Sequence, residues 1–296
     1  MTQNTEAPDG AAPRRVVVGI DTSDNSARAA AWAAREAFGR GLPLHLVYAT
    51  DLPGPIGMVI EPVGYAQSRR KEAQALLDRV ADDLREQQPG LTVTTEVSEL
   101  AAAQTLVALS EGADFVVTGT RGHGGFTGML LGSVSLALAA HSHCPAVVVR
   151  GEEPAPALNE IVLGIGPAQQ AEGPVRFAFA SAAALGATIA AVRAWQPASA
   201  DTGYYHVLDI PQTEAKIGAE LTHRLEAVRA QYPDVKVSEH VVRGNPVTVL
   251  INASRGSRML VVGAHRRRNP LSSGTGYVVQ GLLPHSPTPV AVVPAG

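Results

Sequence analysis

The hydrophobic residues of this chain form short continuous runs that alternate with longer stretches, in which apolar positions recur every three or four residues. Short runs are typical of strands covered on both faces of a sheet, and the longer stretches are typical of amphipathic helices. In the first half the predicted strands are residues 15–20, 44–50, 91–97, 113–118 and 146–150. The predicted helices run to about residue 38 after a cap at Ser23, Asp24 or Asn25, and over residues 66–87, 101–111 and 133–141. This alternation predicts an α/β fold with a parallel sheet and right-handed crossovers.

The pattern occurs twice along the chain. Residues 161–165 repeat residues 16–20 at an offset of 145, and residues 263–293 align without gaps on residues 119–149 at an offset of 144. Identical positions in the longer alignment are Gly263, Gly276, Val278, Leu282, His285, Ser286, Pro289, Val292 and Val293. We therefore expect a tandem duplication, with a flexible tail at 1–13, a first domain at 14–150, a linker at 151–159 and a second domain at 160–296.

A glycine-rich segment follows the fourth predicted strand and precedes a predicted helix. It contains Gly119, Gly122, Gly132 and Ser133. The first N–H groups of a helix lack intrahelical partners and lie at the positive end of its dipole, so phosphates bind there. Glycines let a ligand approach the backbone, and Ser133 adds a hydroxyl donor. The segment therefore predicts a phosphate site, and the alternative is a tight turn without a ligand.

Two common phosphate-binding loops do not fit this segment. A Walker A loop has Lys and then Ser or Thr after its last glycine, whereas Gly132 is followed directly by Ser133. A dinucleotide-binding fingerprint has its glycines after the first strand, where this chain reads Gly19-Ile20-Asp21-Thr22-Ser23.

The segment resembles the pattern Gly, two residues, Gly, nine residues, Gly-Ser of nucleotide-binding universal stress proteins. Asp21 after the first strand and the entry His143-Cys144-Pro145 to the last strand add to the resemblance. It implies two tandem Rossmann-like domains, each a five-stranded parallel sheet in the order 3-2-1-4-5 with helices on both faces. It also implies a site for ATP or a related adenine nucleotide, with Mg²⁺, where the strand order reverses between strands one and four. The residues assigned to this site are Gly19, Ile20, Asp21, Ala49, Gly119, Arg121, Gly122, Gly132, Ser133, Val134 and Ser135.

Several of these assignments have a simpler alternative. Asp21 is expected to accept hydrogen bonds from a ribose or to hold a metal ion beside the phosphates, and the alternative is a helix N-cap. Arg121 and His123 either reach the phosphates or lie in solvent. Ala49 matches the family position that contacts adenine through its backbone, so its assignment depends on the resemblance alone.

The second repeat differs from the first at three candidate ligand positions. The replacements are Gly166 for Asp21, Arg266 for Gly122 and Tyr277 for Ser133. Gly263 and Gly276 remain as a second, weaker candidate site, and the Arg266-Arg267-Arg268 triplet either attracts an anion or forms a solvated face. We expect the second site to be empty or weak and the second domain to act mainly as a pairing partner.

Composition and charge exclude several function classes. The chain has 296 residues, of which 45% are hydrophobic, and its net charge of -3 argues against a dedicated nucleic-acid binder. The single cysteine excludes an internal disulfide. His141, His143 and Cys144 lack a second ligand pair at a metal-site spacing, so a turn into the fifth strand is the simpler interpretation. We expect a cytoplasmic protein without a membrane span, because no apolar run is long enough and residues 1–13 lack the core of a signal peptide.

The resemblance implies a nucleotide-dependent regulator of the response to stress or dormancy rather than an enzyme. The resemblance further implies that the two domains pair through their fifth strands, at 146–150 and 290–293, that the chain forms a homodimer, and that an unidentified regulatory protein is its partner. Two alternatives stay open. One is a slow ATPase or other phosphotransferase, which lacks a Walker lysine and an identifiable base. The other is an interaction scaffold that binds no nucleotide.

Overall fold

The protein is described by a computed structural model that covers residues 14–51, 64–120, 131–150, 157–167, 172–197, 209–264 and 276–294. The elements before residue 150 are β1 Val16–Ile20, α1 Asp24–Gly39, β2 Leu44–Ala49, α2 Tyr65–Gln87, β3 Val93–Ser98, α3 Ala102–Leu109 with a 3-10 turn at Ser110–Gly112, β4 Phe115–Gly119, α4 Ser133–His141 and β5 Ala146–Val149. Those after it are β6 Glu160–Gly164, α5 Gly173–Leu185, β7 Thr188–Trp195, α6 Ile210–Arg229, β8 Val237–Arg243, α7 Pro246–Ala253, β9 Met259–Ala264, α8 Tyr277–Leu282 and β10 Val290–Pro294. We call β1 to β5 with their helices the first domain, and β6 to β10 with theirs the second domain.

The strands form one sheet in the order β3-β2-β1-β4-β5-β10-β9-β6-β7-β8. Within each domain the neighbouring strands are parallel. Each domain therefore has the order 3-2-1-4-5, and the predicted α/β fold with two tandem domains is confirmed.

The two domains join through their last strands. β5 and β10 are antiparallel, and Val147 pairs with Ala291, which is its own counterpart at the repeat offset. On either side Ala146 pairs with Val292 and Val148 with Val290. The register is therefore two-fold symmetric, and the predicted pairing of the fifth strands is confirmed.

Helices cover both faces of the sheet. Alternate strand residues such as Val16 and Val18 belong to one core with residues of α1, α2, α5 and α6, and this core is continuous across the two domains. The residues between them point to the opposite face, where α3 and α4 cover the first domain and α7 and α8 cover the second. Among the described helices, none combines the length and the apolar character that crossing a membrane requires.

The local sequence explains how α1 and α2 begin and pack. Ser23 caps α1, because its hydroxyl accepts a hydrogen bond from the N–H of Ser26. Gly41 follows the helix with a φ of 63°, a conformation that glycine adopts without strain. In α2 the stripe of small and apolar side chains is buried, at Ala73, Leu77, Ala81 and Leu84.

Candidate functional site

The candidate site lies at the carboxyl ends of β1 and β4. These strands are parallel neighbours, and the chain leaves β1 towards β2 on one side and β4 towards β5 on the other. The register pairs Val18 with Val117, so Ile20 and Gly119 end their strands side by side. A crevice forms outside the sheet where the strand order reverses in this way. The structure thus brings together Asp21 and Gly119, which are about a hundred residues apart in the sequence.

Asp21 is held in a tight hydrogen-bonded turn between β1 and α1. Its Oδ1 accepts from the N–H of Ser23 at 2.9 Å and from the Ser23 hydroxyl at 2.5 Å. The Ser26 hydroxyl donates to the carbonyl of Asp21 at 2.8 Å. These contacts fix the half-buried Asp21 carboxylate beside the first turn of α1, and the N-cap of that helix is Ser23 rather than Asp21.

Gly119 has a packing role that the sequence did not reveal. A Cβ at this position would lie 2.8 Å from the carbonyl carbon, the carbonyl oxygen and the Cβ of Asn25. No side chain fits there without moving the start of α1. Gly119 therefore keeps the β1–α1 turn close to the end of β4, in addition to any role in ligand binding.

The start of α4 has the features of an anion site. Its N-cap is Gly132, with φ −79° and ψ 156°, and no side chain of the described residues caps it. Its first turn contains no acidic residue, whereas that of α1 contains Asp24. The N–H of Gly132 donates to the carbonyl of Thr120 at 2.7 Å, which holds the start of the helix near the end of β4. The exposed Ser133 and the half-buried Val134 follow.

Ser135 ties this helix start to β4. Its hydroxyl donates to the carbonyl of Gly119 at 2.8 Å and lies 3.1 Å from the Thr118 hydroxyl. The side chain is 1% exposed, so the hydroxyl is engaged inside the protein. The predicted contact of Ser135 with a ligand would therefore be made by its backbone.

The remaining predicted residues lie as follows. A Cβ on Gly19 would be 2.8 Å from Cδ1 of Leu106, so this glycine allows α3 to pack on β1. Ile20 is a buried core residue. Ala49 is half-buried at the end of β2 and pairs with Ser98 of β3. Arg121, Gly122 and His123 lie outside the described residues.

The turn between α4 and β5 contains the histidine and cysteine residues noted in the sequence. Burial raises the pKa of the Cys144 thiol to about 11, so the reactive thiolate is disfavoured. Ser142 donates to the Cys144 carbonyl at 2.7 Å, and the exposed His143 lies 3.6 Å from Glu111. Over the residues that the structure describes, no three His, Cys, Asp or Glu side chains converge as a metal site would require.

Comparison with known proteins identifies the family of this chain. Residues 13–150 and 158–294 each match the universal stress protein family. This chain belongs to the universal stress protein family.

Relatives within the family match the whole tandem arrangement. A universal stress protein of Mycobacterium tuberculosis is 31% identical over 288 residues, which are 94% of this chain and 95% of the relative. A solved universal stress protein from Archaeoglobus fulgidus shares the fold, with a TM-score of 0.68 at 18% identity, and covers 95% of this chain and 98% of its own. A universal stress protein solved in complex with cAMP matches a stretch about as long as one domain. The match covers 47% of this chain and 98% of that protein, at 25% identity and a TM-score of 0.38. That ligand is a property of the matched protein.

The second universal stress domain differs at the equivalent strand end. Gly166 follows β6 in place of Asp21, and its carbonyl accepts from Arg224 Nη1 at 2.8 Å. Arg193 Nη1 donates to the carbonyl of Ile165 at 3.3 Å. Tyr277 begins α8, and its hydroxyl oxygen accepts from Asn245 Nδ2 at 3.1 Å. Arginine therefore occupies the region where the first domain has a carboxylate, and Arg266 lies outside the described residues.

A cavity of about 560 Å³ adjoins this region of the second domain. Its walls include Leu163, Val175, His223 and Arg224, from β6, α5 and α6. None of its lining residues comes from β9 or α8. The cavity thus differs in position from the predicted site of the first domain, which lies between β1, β4 and the start of α4.

Proposed function

We propose that the first domain binds an adenine nucleotide, ATP with Mg²⁺, and that the chain acts as a nucleotide-dependent regulator in the response to stress or dormancy. The proposal assigns one nucleotide to each chain, because the equivalent residues of the second domain are changed. It assigns no catalytic residue. A regulatory protein partner and a homodimer are part of the same proposal.

The main support is the uncapped start of α4 beside the Asp21 turn. The N–H groups of the first turn of α4 are the positive end of a helix dipole, and neither a capping side chain nor an acidic residue among those described competes for them. Two to three phosphates require donors of this type. The glycine pattern extends this cradle to Gly122 and Gly132 in the sequence.

Each residue then has a separate role in binding. The backbone of Gly119, Gly122, Gly132, Ser133, Val134 and Ser135 would hold the phosphates, with Arg121 adding charge. Asp21 would accept hydrogen bonds from the ribose or contact Mg²⁺, which the phosphates would carry into the site. Gly19, Ile20 and Ala49 would form the wall against the adenosine.

Native purification followed by extraction and chromatography of bound nucleotide tests the proposal directly. An adenine nucleotide at about one per chain is expected. Protein that is fully folded, carries none and shows no heat of binding with ATP, ADP or cAMP would leave the nucleotide-free scaffold as the better hypothesis.

Calorimetry on Asp21→Ala tests the role of the carboxylate. A micromolar site corresponds to about −8 kcal/mol, and one charge-assisted hydrogen bond contributes roughly 1.5–3 kcal/mol, so affinity should fall about ten- to a hundredfold. Asp24→Ala is the matched control, because Asp24 is an exposed acid three residues further on, and its affinity should stay within about twofold. Equal affinities of the two variants would contradict the assignment of Asp21.

Gly122→Arg tests the cradle by introducing the residue that the second domain has at this position. We expect a larger loss than for Asp21→Ala, since the side chain excludes the phosphate and strains the loop. Unchanged ATP affinity would remove the cradle assignment. Steady release of ADP by the wild-type chain that is lost in this variant would establish the slow ATPase instead.

A further inference from the structure

The two domains also meet on the face of the sheet that α1 and α5 cover, a region that we call the α1–α5 contact. Phe115 of β4 packs edge-on against Phe177 of α5, with the ring centroids 6.1 Å apart. A Cβ on Gly39 would lie 2.8 Å from Cδ2 of Leu185, so the helices approach each other closely. The Cζ of Arg40 lies 4.6 Å from the ring centroid of Phe115 and 5.4 Å from that of Phe177.

A buried carboxylate links the domains at this contact. Glu36 of α1 is 2% exposed, and its Oε2 accepts from Arg40 Nη2 at 3.1 Å. Its Oε1 accepts from Arg258 Nη2 at 2.7 Å, from the residue that precedes β9 in the second domain. Glu36 and Arg258 are 222 residues apart in the sequence. The pair therefore forms only when the two domains are in place.

The charge cluster of Glu36, Arg40 and Arg258 is better suited to selecting a partner than to adding stability. The Nε atoms of Arg40 and Arg258 are buried and have no hydrogen-bond partner among the described residues. Burial lowers the pKa of the Arg40 guanidinium, and Glu36 and Asp114 oppose that shift. A buried ion pair gains little over a well-packed apolar contact, but the loss of one partner leaves an uncompensated charge and is costly.

The positions of this cluster have counterparts in the other domain. The N–H of Asp114 donates to the carbonyl of Arg15 at 2.9 Å, and the N–H of Arg258 donates to the carbonyl of Glu160 at 2.8 Å. Asp114 and Arg258 therefore hold the same backbone position with opposite charge. The counterpart of Glu36 at the repeat offset is the buried Ser181 of α5.

Because the register of β5 and β10 is symmetric, it also shows which side chains would meet if two first domains or two second domains were paired. Two first domains joined by that register would place Glu36 of each beside Asp114 of the other, so that a carboxylate, itself paired with Arg14, replaces the guanidinium of Arg258. Two second domains would place Arg258 beside Ser181, which leaves the half-buried guanidinium of Arg258 without the Glu36 carboxylate. Only a first domain with a second domain sets Glu36 against Arg258.

We propose that Glu36 and Arg258 select the partner at the α1–α5 contact, so that a first domain accepts a second domain, its own or that of another copy of this chain, and rejects another first domain. Like-charge burial against the wrong domain supplies the discrimination. The apolar edges of β5 and β10 supply adhesion that does not depend on these charges.

The test reverses each charge separately in the full chain. Glu36→Lys places a cation against Arg40 and Arg258, and Arg258→Glu places a carboxylate against Glu36. Hydrogen exchange at Val147 and Ala291 should become about a hundredfold faster in each variant, as expected for a buried charge that has lost its partner. Glu172→Lys is the control, because Glu172 and its partner Arg176 are both exposed. In this variant, exchange at Val147 and Ala291 should change less than about twofold.

Mixing the two variants makes the test specific for partner choice. The first domain with lysine at position 36 fits the second domain with glutamate at position 258, and the two remaining domains carry the original pair. With one variant isotope-labelled, native mass spectrometry should show mixed dimers above the statistical proportion, and exchange at Val147 should slow again. The double variant Glu36→Lys/Arg258→Glu in one chain should restore slow exchange without mixing.

Wild-type exchange in both reversed variants, or a mixture with only the statistical proportion of mixed dimers, would overturn the proposal. If a reversed variant does not fold, Glu36→Gln replaces it, since this change keeps the volume and removes the charge. At least tenfold faster exchange at Val147 is expected for Glu36→Gln, and exchange at the wild-type rate would equally overturn the proposal.

Discussion

The carboxyl ends of β1 and β6 occupy equivalent places in the two domains, but their surroundings carry opposite charge. After β1, the Asp21 carboxylate accepts two hydrogen bonds from Ser23. After β6, Gly166 offers only its carbonyl, and Arg224 donates to it. The strands and their order are alike. The duplication has therefore kept the residues that build the sheet and changed those at its carboxyl edge.

The starts of α4 and α8 likewise share their backbone geometry but differ in the side chains beside it. Both helices follow a glycine with an extended backbone, Gly132 at φ −79° and Gly276 at φ −67°, and neither has a side-chain cap within the described part of the chain. Ser135 ties α4 to β4, whereas Val279 occupies that position in α8. An open helix start thus belongs to the fold, and the neighbouring side chains decide what it is able to bind.

The largest effect of a single substitution is expected at Gly119. Gly119→Ala forces a Cβ against the backbone of Asn25, so we expect a loss of about 1–3 kcal/mol in the free energy of unfolding, together with weaker nucleotide binding. Gly218→Ala in α6 is the matched change in the second domain. Among the described residues its Cβ meets only Val241, at 3.8 Å, and a gain of about 0.5–1 kcal/mol in the free energy of unfolding is expected. Urea unfolding measures both, and equal effects would show that the close approach at Gly119 is unimportant.

A smaller effect is expected from removal of the hydroxyl that distinguishes α4 from α8. Ser135→Ala loses the bond to the Gly119 carbonyl, which costs about 1 kcal/mol. Thr118 still donates to that carbonyl, so the acceptor keeps a partner and the loss stays modest. Ser68→Ala, at an exposed serine of α2, should change the free energy of unfolding by less than about 0.5 kcal/mol. A loss at Ser68 as large as that at Ser135 would contradict this role.

The pH dependence of stability should also differ between the domains. Burial lowers the pKa of His45 below 6.5, and a hydrogen bond to Glu96 partly offsets this. The unfolded chain then binds the proton more readily, so stability is full above pH 6.5 and is lost as the pH falls through that value towards the lower pKa of the folded state. His45→Ala, which introduces the residue found at Ala190, should remove this part of the slope in unfolding experiments between pH 7.5 and about pH 5. An unchanged slope would locate the titration elsewhere.

The last expected difference is in thiol chemistry, where Cys144 of the first domain corresponds to Thr288. With a pKa of about 11, the native thiol at pH 8 is thiolate to only about one part in a thousand. Labelling by a disulfide reagent should be at least about a hundredfold slower in the native chain than in guanidinium, where the cysteine is unperturbed. Fast native labelling would show that the turn before β5 opens readily.

The sheet was largely predictable because buried parallel strands appear as uninterrupted apolar runs. Helix α4 begins at Ser133 and ends at His141 as predicted, and β4 extends one residue beyond its predicted end. Boundaries moved by a residue or two where polar residues continue a strand, as at Ser98 of β3. The strand order came from the family resemblance, since alternation alone does not fix it.

The contacts that depend on distant residues were not predictable. Glu36 is one of several polar residues in an alanine-rich helix, and nothing local indicates a partner 222 residues away. The packing role of Gly119 against Asn25 was hidden for the same reason, because a glycine in a loop is equally expected beside a ligand. Sequence patterns report local burial, whereas these contacts follow from which elements become neighbours.

The joining of β5 and β10 has a consequence for synthesis of the chain. β5 consists of Ala146, Val147, Val148 and Val149, and its outer edge has unsatisfied backbone groups until β10 arrives. The first domain leaves the ribosome before β10 has been synthesised, so during that period it exposes an unpaired apolar strand that is prone to aggregation. Covalent linkage keeps the protecting strand at high effective concentration once it is made, which favours closure within one molecule over aggregation between nascent chains.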